Sequence, residues 1–355
     1  MKYEYGKREL GYSFEHYNFY DSLVKIEQAR HQVVYFPFDE VMQKKGKDEM
    51  NKKLLETVWQ EKPEFCFFFL FGDEIKKETI KEITEKSSSL TFNWFADDHF
   101  RFYNFSKYYT PLFHWVSTTD SQAPEKYHKI GYKNIIKTQW ACNHFLYKPQ
   151  INADSPADLG RYQYDMSFIG QPHGNRKEVI EKIRKAGVEV KCWGKGWPAG
   201  RISQEEMIRI FSQSKINLNL TKSPGNIGLK SLASVFLKRK LDRSLKFMSP
   251  RYWLGNFGSV LAKKREQIKG RNFEVPGCGG FLLTSDADNL TDYYQDGKEI
   301  VIYRNTNDMI DKIKYYLEHN EEREAIARAG YERTLREHTY EKRFNEIFKT
   351  IGLIK

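Results

Sequence analysis

The sequence predicts an α/β protein built as two doubly wound domains facing each other across a cleft. Three observations carry that expectation. Short apolar stretches alternate with charged stretches of helical length through most of the 355 residues. Strands without a polar alternation belong to parallel sheets covered on both faces. The alternation breaks at "KPQINADSPADLGRYQ" (148–163), whose Pro, Asp, Asn and Gly read as a linker, and a chain of this length suits two cores. The expected units are 1–150, then 151–338 with a basic insertion at about 222–265, then a crossover helix, 339–355, that packs back on the first unit.

Each element has its own justification. In the first unit "HQVVYFPF" (31–38), "EFCFFFLF" (64–71), "SLTFNWF" (89–95), "HWVSTT" (114–119) and "NIIKTQW" (134–140) are short and mostly apolar, as buried strands are. The charged stretches Asp48 to Lys62 and Glu74 to Lys86 suit helices between them. The second unit reads as strand 164–170, helix 176–186, strand 188–193, helix 204–212 and strand 215–220. After the basic stretch come a helix across Phe273, strand 280–284, a short helix near Leu290 and strand 299–303. Two helices are expected to follow. Met309, Ile310, Ile313 and Leu317 share one face of the first, and Phe344, Ile347, Phe348 and Ile351 repeat the pattern in the second.

Composition excludes several classes. At 40% hydrophobic and 15% aromatic the chain is a folding one. Its longest apolar run, Phe65 to Phe71, is far short of a membrane span. The opening "MKYEYGKREL" has no apolar core and does not read as a secretory signal. The cysteines at 66, 142, 192 and 278 form no CxxC pair, which argues against a zinc site or a disulfide framework and suits a reducing cytoplasm. The net charge of +11 is local: Lys222 to Arg271 holds 13 Lys and Arg against Asp242 and Glu266, and the rest of the chain is balanced. General nucleic-acid affinity does not follow from such a distribution.

The stretch most telling about chemistry is "EQIKGRNFEVPGCGGFLLTS" (266–285). Glu266 and Glu274, separated by seven residues, stand before a Gly-rich helix-to-strand turn. A carboxylate there can accept both ribose hydroxyls of a nucleotide, while turn N–H groups and a helix N-terminus hold its diphosphate. Lys269 and Arg271 add charge to stabilise a departing diphosphate, and Gly279 and Gly280 are counted with the same donor site. The bland reading is a surface helix with an incidental ion pair. In "SFIGQPHGNRKEVI" (167–180) a loop follows a strand where α/β folds bind ligands. Gly170 and Gly174 allow close backbone approach to a phosphate that Arg176 can reach, or they are a plain turn beside a solvated arginine. Trp193, with Lys195 and Trp197, offers an indole face to a base or else anchors packing. Asn217 and Asn219 alternate onto one face, to line the cleft or to satisfy backbone. In "NWFADDHFRF" (93–102), Asp97, Asp98 and His99 are readable as metal ligands, as an acid/base group, or as a polar loop in which an aspartate starts the next helix.

"QIKGRNFEVPGCGGFLLT", "GKEIVIYRNTNDMIDKIKYYLEHNEEREAIARAGYERTLREHTYEKRF", "SFIGQPHGNR" and "NWFADDHFRF" resemble the CgeB-type (spore maturation protein) glycosyltransferases. These are similar to the large family of retaining glycosyltransferases with the GT-B fold. The resemblance implies two Rossmann-like domains with the donor held mainly by the second. It gives Glu274 the donor ribose and places Glu266 near the donor sugar. It also implies a nucleoside diphosphate sugar donor, UDP or GDP first among bases, with no tightly bound cofactor and no essential metal. The acceptor would be a carbohydrate, a lipid-linked compound or a protein. Metal-holding Asp-x-Asp motifs belong to a different, single-domain fold, so Asp98 and His99 become candidates to orient the acceptor hydroxyl or relay its proton. Two departures stand out. Only four residues precede Tyr5–Gly6, where the family has a full strand, and "REQIKGR" lacks the Gly/Phe pattern that usually follows the first glutamate.

Two rivals remain at this point. One is a sugar-nucleotide epimerase or hydrolase on the same fold. The other is a nucleic-acid-binding or DNA-modifying protein using the basic segment, although no recognisable nucleic-acid motif is present. In that segment, 229–265, apolar residues mix with basic ones at roughly helical spacing. That pattern suits a solvated insertion, a lid over the diphosphate, or peripheral contact with the inner face of an anionic membrane.

Overall fold

The computed structural model describes residues 1–26, 32–150, 162–221, 233, 235–239, 245–250, 253–262 and 265–355. The chain opens with short turns and a π-helical turn (His16–Tyr20) that runs into α1 (Asp21–Lys25). Helix α2 (Phe38–Glu61) breaks at Gly46, where a φ of 84° suits glycine and few other residues. Then follow β1 (Phe65–Phe68), α3 (Lys77–Lys86), β2 (Leu90–Phe95), α4 (Asp98–Arg101), β3 (Trp115–Thr118), α5 (Ala123–Lys129) and β4 (Ile135–Lys137). The four strands are parallel in the order β1-β2-β3-β4.

The second sheet holds β5 (Tyr164–Ile169), β6 (Val190–Trp193), β7 (Ser214–Asn219), β10 (Leu282–Ser285) and β11 (Val301–Tyr303), all parallel in the order β11-β10-β7-β5-β6. Helices α6 (Arg176–Lys185) and α7 (Gln204–Gln213) connect its first strands. Ser203 caps α7 by accepting from the Glu206 N–H, which satisfies one of the orphan donors of its first turn. Between β7 and β10 lie an antiparallel pair, β8 (Leu237–Arg239) and β9 (Leu245–Phe247), then α8 (Trp253–Ala262) and α9 (Arg271–Gly277). The chain ends with α10 (Thr306–Glu318), α11 (Asn320–Glu337) and α12 (Tyr340–Thr350).

Both sheets bury both faces, which is why their strands read as unbroken apolar runs. In the first, Phe65, Phe67, Phe92 and Trp94 point one way. Phe68, Phe95 and Val116 point the other, against α2 and α3. The face carrying Phe92 and Trp94 is covered by α12, whose Tyr340, Phe344, Ile347 and Phe348 are buried there together with Phe19. The last helix thus belongs to the first sheet. Burying each of these rings is worth about 1.5–3 kcal/mol, enough to hold a helix that the chain must cross over to place. The crossing is bonded: the Cys142 N–H donates to the His338 carbonyl at 2.9 Å and the Tyr340 N–H to the Cys142 carbonyl at 3.0 Å.

Two expectations are corrected. The stretch 31–38 is not a strand: its described residues 32–37 carry no regular structure, and Phe38 opens α2. Its apolar side chains, Val33 to Phe36 among them, line a cavity along β1 instead of pairing with it. The segment after β11 holds three helices, not two. Helix α11 was missed because its buried face is small and polar, with Arg323, Ala327, Gly330 and Thr334 beside a single Ile326. At Gly330 a Cβ would stand 2.2 Å from the Glu299 carbonyl oxygen, so the helix packs through a glycine in place of an apolar stripe. The linker reading at 148–163 and much of the basic stretch fall outside the described residues.

Candidate functional site

Parallel α/β sheets bind ligands beyond the carboxyl ends of their strands. In this protein those ends are brought together from both sheets. From the second come the loop after β5 with Arg176, the end of β7 at Thr221, and the segment from Arg265 to Glu274. From the first comes the loop after β2 with Asp97 and His99. The contact is electrostatic as well as spatial. Desolvation and then Lys269 and Arg265 depress His99, to about 3, so at neutral pH its imidazole is uncharged. Desolvation also lowers the Lys269 ammonium, with Arg176 acting the same way and Asp97 against it.

A second bridge stands after β3. The Arg265 guanidinium pairs with the buried Asp120 and reaches Asp288 at 3.3 Å. The Ser121 N–H and Oγ donate to Asp288 at 2.9 and 2.6 Å. Lys126 completes the cluster at 3.1 Å from Asp120. Sequence reasoning missed Asp120, Ser121, Arg265 and Asp288. Arg265 immediately precedes Glu266, and that adjacency is the signal that could have found it.

The two glutamates occupy different settings. Glu266 is half-buried and accepts from Thr221 Oγ1 at 2.9 Å, at the carboxyl edge where β7 and β10 end. Its charge reaches Tyr303, which also feels Arg176. Glu274 is fully buried in α9. It accepts from Tyr147 Oη at 2.9 Å and is paired with Arg271. Burial works against the Arg271 charge, but Glu274 outweighs it and holds the guanidinium above its ordinary range. Gln204 Nε2 donates to the same Tyr147 hydroxyl at 2.8 Å. Phe14, from the opening segment, stands against the Gly270 turn, where a Cβ would meet its ring at 2.8 Å.

Asn219 and Asn272 hold that turn. Asn219 Nδ2 donates to Asn272 Oδ1 at 3.2 Å, and the same oxygen takes the Lys269 N–H at 3.0 Å. Asn217 satisfies buried carbonyls of Phe211 and Phe281. Both asparagines are therefore buried satisfiers, and Asn219 in addition positions Lys269 and α9. Sequence reasoning missed Tyr147 and Asn272.

Arg176 ties the loop after β5 together, donating to the carbonyls of Gln171 at 2.8 Å and Leu220 at 2.6 Å. Gly170 lies close against Phe168 and Arg176, and Gly174 has a φ of 63° that favours glycine. Trp193 is half-buried, edge-on to Tyr164 at 5.2 Å. Trp197 is the packing anchor of its loop: its indole N–H donates to the Gly170 carbonyl at 2.7 Å.

Two expected placements differ. Asp98 does not line the cleft. It is fully buried, accepts from Ser106 Oγ at 2.5 Å and Tyr127 Oη at 2.8 Å, and its carboxyl is pushed up by desolvation. Those bonds consume its oxygens, so it fixes the loop that presents His99. Gly279 and Gly280 lie between α9 and β10, at the amino edge of the sheet, away from the donor side. They are glycines because a Cβ would come within 3.2 Å of Pro149 at one and 2.6 Å of the Phe211 carbonyl oxygen at the other. Among the described residues, no three His, Cys, Asp or Glu side chains gather as a metal site would require.

The basic stretch reaches across the site. Helix α8 packs on α4 and the π-helical turn after it, where Gly255 comes against Tyr103. Phe247 of β9 and Leu254 and Phe257 of α8 remain exposed. Among the described residues no helix is long and apolar enough to cross a membrane.

Residues 176–349 match a family described as glycosyl transferase-like. Spore protein CgeB of Bacillus subtilis (strain 168) is 22% identical over 280 residues, covering 79% of this chain and 80% of that protein. Among solved structures, HepE of Anabaena in complex with UDP and glucose superposes with a TM-score of 0.54 at 10% identity, covering 91% of this chain and 84% of that one. Sucrose-phosphate synthase of Thermosynechococcus elongatus gives 0.52 at 11% identity, covering 92% and 82%. A glycosyltransferase of Rickettsia africae ESF-5 gives 0.53 at 10%, covering 90% and 83%. At such identities the likeness is one of fold, the two-sheet GT-B architecture.

Proposed function

We propose that this chain, a CgeB-type glycosyl transferase of GT-B architecture, moves a sugar from a nucleoside diphosphate sugar to an acceptor hydroxyl with retention of configuration. The observation that carries the reading is that Glu266, at the carboxyl edge of the second sheet, and Glu274, buried in α9 and paired with Arg271, flank the Gly270 turn. Lys269 and Arg271 stand on the same turn, and Arg176 organises the neighbouring loop. In this scheme Glu274 takes the ribose hydroxyls, and Arg271, Lys269 and Arg176 stabilise the diphosphate as it departs. Glu266 faces the sugar. Stabilising the leaving group then lowers the barrier most, because its charge develops only in the transition state. His99, uncharged and across the cleft, accepts a hydrogen bond from the acceptor hydroxyl, which attacks from the side the diphosphate leaves.

Arg271 is spoken for by Glu274 before the donor binds. Donor entry on this reading exchanges one partner for two: the carboxylate turns to the ribose and the guanidinium to the diphosphate. UDP is the first nucleotide to try, since HepE was crystallised with it.

The experiment is a thermal-shift screen of UDP, GDP, dTDP, ADP and CMP sugars, followed by release of nucleoside diphosphate from whichever class stabilises the protein. One class is expected to raise the melting temperature, with slow release in the absence of acceptor. If no class does, or if Glu274→Ala leaves both readouts unchanged, the reading is wrong. Product anomers seen by NMR separate transfer from epimerisation or hydrolysis.

A further inference from the structure

Asp120 and Ser121 follow β3 in the first half, and Arg265 and Asp288 stand at the carboxyl edge of the second sheet. The Arg265 guanidinium pairs with both carboxylates, one from each half. Ser121 gives Asp288 two further bonds across 167 positions of chain. Lys126 is the other cation on Asp120, so two carboxylates meet two cations. Exposed ion pairs contribute little. Asp120, however, is fully buried, and a buried carboxylate that loses a cation is strongly disfavoured. The pairing therefore favours the halves together over the halves apart.

Each end of this cluster is tied to a group assigned to the chemistry. On the donor side Arg265 precedes Glu266 in the chain, and the Asp288 N–H donates to the Glu266 carbonyl at 3.0 Å. On the acceptor side Thr119, next to Asp120, donates its Oγ1 to the Ala96 carbonyl at 2.7 Å. Ala96 leads into Asp97, whose carbonyl accepts the Phe100 and Arg101 N–H groups at 3.1 and 2.8 Å as α4 begins. His99 lies in that turn. The charges of Arg265, Lys126 and Asp288 all reach its imidazole. A short run of bonds thus joins Glu266 on one half to His99 on the other.

We propose that Asp120, Ser121, Arg265 and Asp288 are positioning residues that clasp the two halves and fix the span between Glu266 and His99. Resting on the glycosyl-transfer reading, the clasp acts on turnover more than on donor binding, because none of the four is among the groups assigned to the nucleotide. Reacting groups misplaced by about 1 Å lose on the order of a hundredfold in rate, and the clasp guards against that misplacement.

The clasp is read directly as a distance between the halves. Lys129 of α5 and Lys185 of α6 are exposed, one in each half. Nitroxides on Lys129→Cys and Lys185→Cys, with Cys66→Ser removing the one cysteine that is not buried, report that distance by pulsed electron paramagnetic resonance without any ligand. Arg265→Gln leaves Asp120 its bonds to Lys126 and the Gln122 N–H, so the first half is expected to fold as before. Arg265→Gln and Asp288→Ala should each lengthen and broaden the distribution, and the double variant should add little to either, as members of one cluster do. With UDP-glucose as the probe and water in the acceptor's place, both variants should release UDP at least about tenfold more slowly at saturation, with KM changed less than about threefold. A distribution unaltered in both variants, full additivity in the double variant, or a loss carried by KM with turnover intact each overturns the proposal. A protein whose distances respond in this way but that releases nucleoside diphosphate from no sugar nucleotide keeps the clasp and sinks the transferase reading instead.

Discussion

Tyr147 donates its hydroxyl to Glu274 Oε1 at 2.9 Å, so the segment crossing between the two sheets holds the carboxylate assigned to the donor ribose. Gln204 secures the tyrosine in turn. Tyr147→Phe removes both bonds, leaves the Gln204 amide unpaired and frees Glu274 to turn fully towards Arg271. A loss of about 1 kcal/mol is expected, read as roughly fivefold weaker nucleotide binding by calorimetry with turnover at saturation little changed. Unaltered affinity would mean that Tyr147 only packs.

Asp98 offers a contrast with its neighbour. Replacing it by alanine leaves Ser106 and Tyr127 without their acceptor in a sealed interior. Asp98→Ala is expected to lower stability by about 2–4 kcal/mol in urea denaturation, and transfer should fall with it. His99→Ala is the cleaner probe of the acceptor: it should reduce transfer with stability and donor binding nearly intact. The reverse pattern would return Asp98 to the chemistry.

The buried histidines set an acid limit. His338 is 4% exposed. Its Nε2 lies 2.7 Å from the Tyr293 carbonyl and its Nδ1 3.2 Å from the Arg343 guanidinium. Burial first, and then Arg343, hold it down to about 4. The unfolded chain therefore takes up this proton before the folded one does. Its share of stability is whole above pH 6.5 and is lost as the pH falls towards 4, by about 1 kcal/mol per pH unit. Urea midpoints measured from pH 7 to pH 4 should show at least that slope, since His99 adds its own share, and His338→Gln should reduce it. A slope unchanged in the variant would assign the acid limit elsewhere.

Phe247 and Leu254 give the basic stretch an exposed apolar side, in a region whose sequence adds Lys238, Arg239 and Lys246. We expect the protein to sediment with phosphatidylglycerol vesicles at low salt and to be released as salt is raised. Phe247→Ser with Leu254→Ser should weaken that binding about tenfold. Equal binding to neutral vesicles, or none at all, would remove the membrane from the account.

Much of the second sheet was legible because its strands are apolar on both faces and punctuated by glycine, and their edges fall within a few residues of expectation. Helix α11 was not legible, since a helix that docks through Gly330 and buries Arg323 shows no apolar stripe. The stretch 31–38 misled for the opposite reason, because a run such as Val33 to Phe36 is equally apolar whether it pairs in a sheet or lines a cavity. In the site, the spacing of Glu266 and Glu274 and the basic residues between them could be read directly. Asp97 and Asp98 could not be told apart, because what separates them is Tyr127 and Ser106, which fold in from 29 and 8 positions away. Gly279 and Gly280 show the same limit, since a glycine that admits a phosphate and one that admits a neighbouring carbonyl look identical in a sequence.

Among the described residues the chain passes between the halves near Cys142 and again near Thr339, and the two passages are bonded to each other. A single tether leaves the joined bodies free to swivel in every direction. Two strands pinned side by side form a ribbon, which bends across its width far more readily than it shears or twists. Opening for the donor and closing for transfer would then retrace one arc, with Tyr147 a few residues from its axis. A cut at the linker would not yield two working pieces, because the first would lose the helix that walls its sheet.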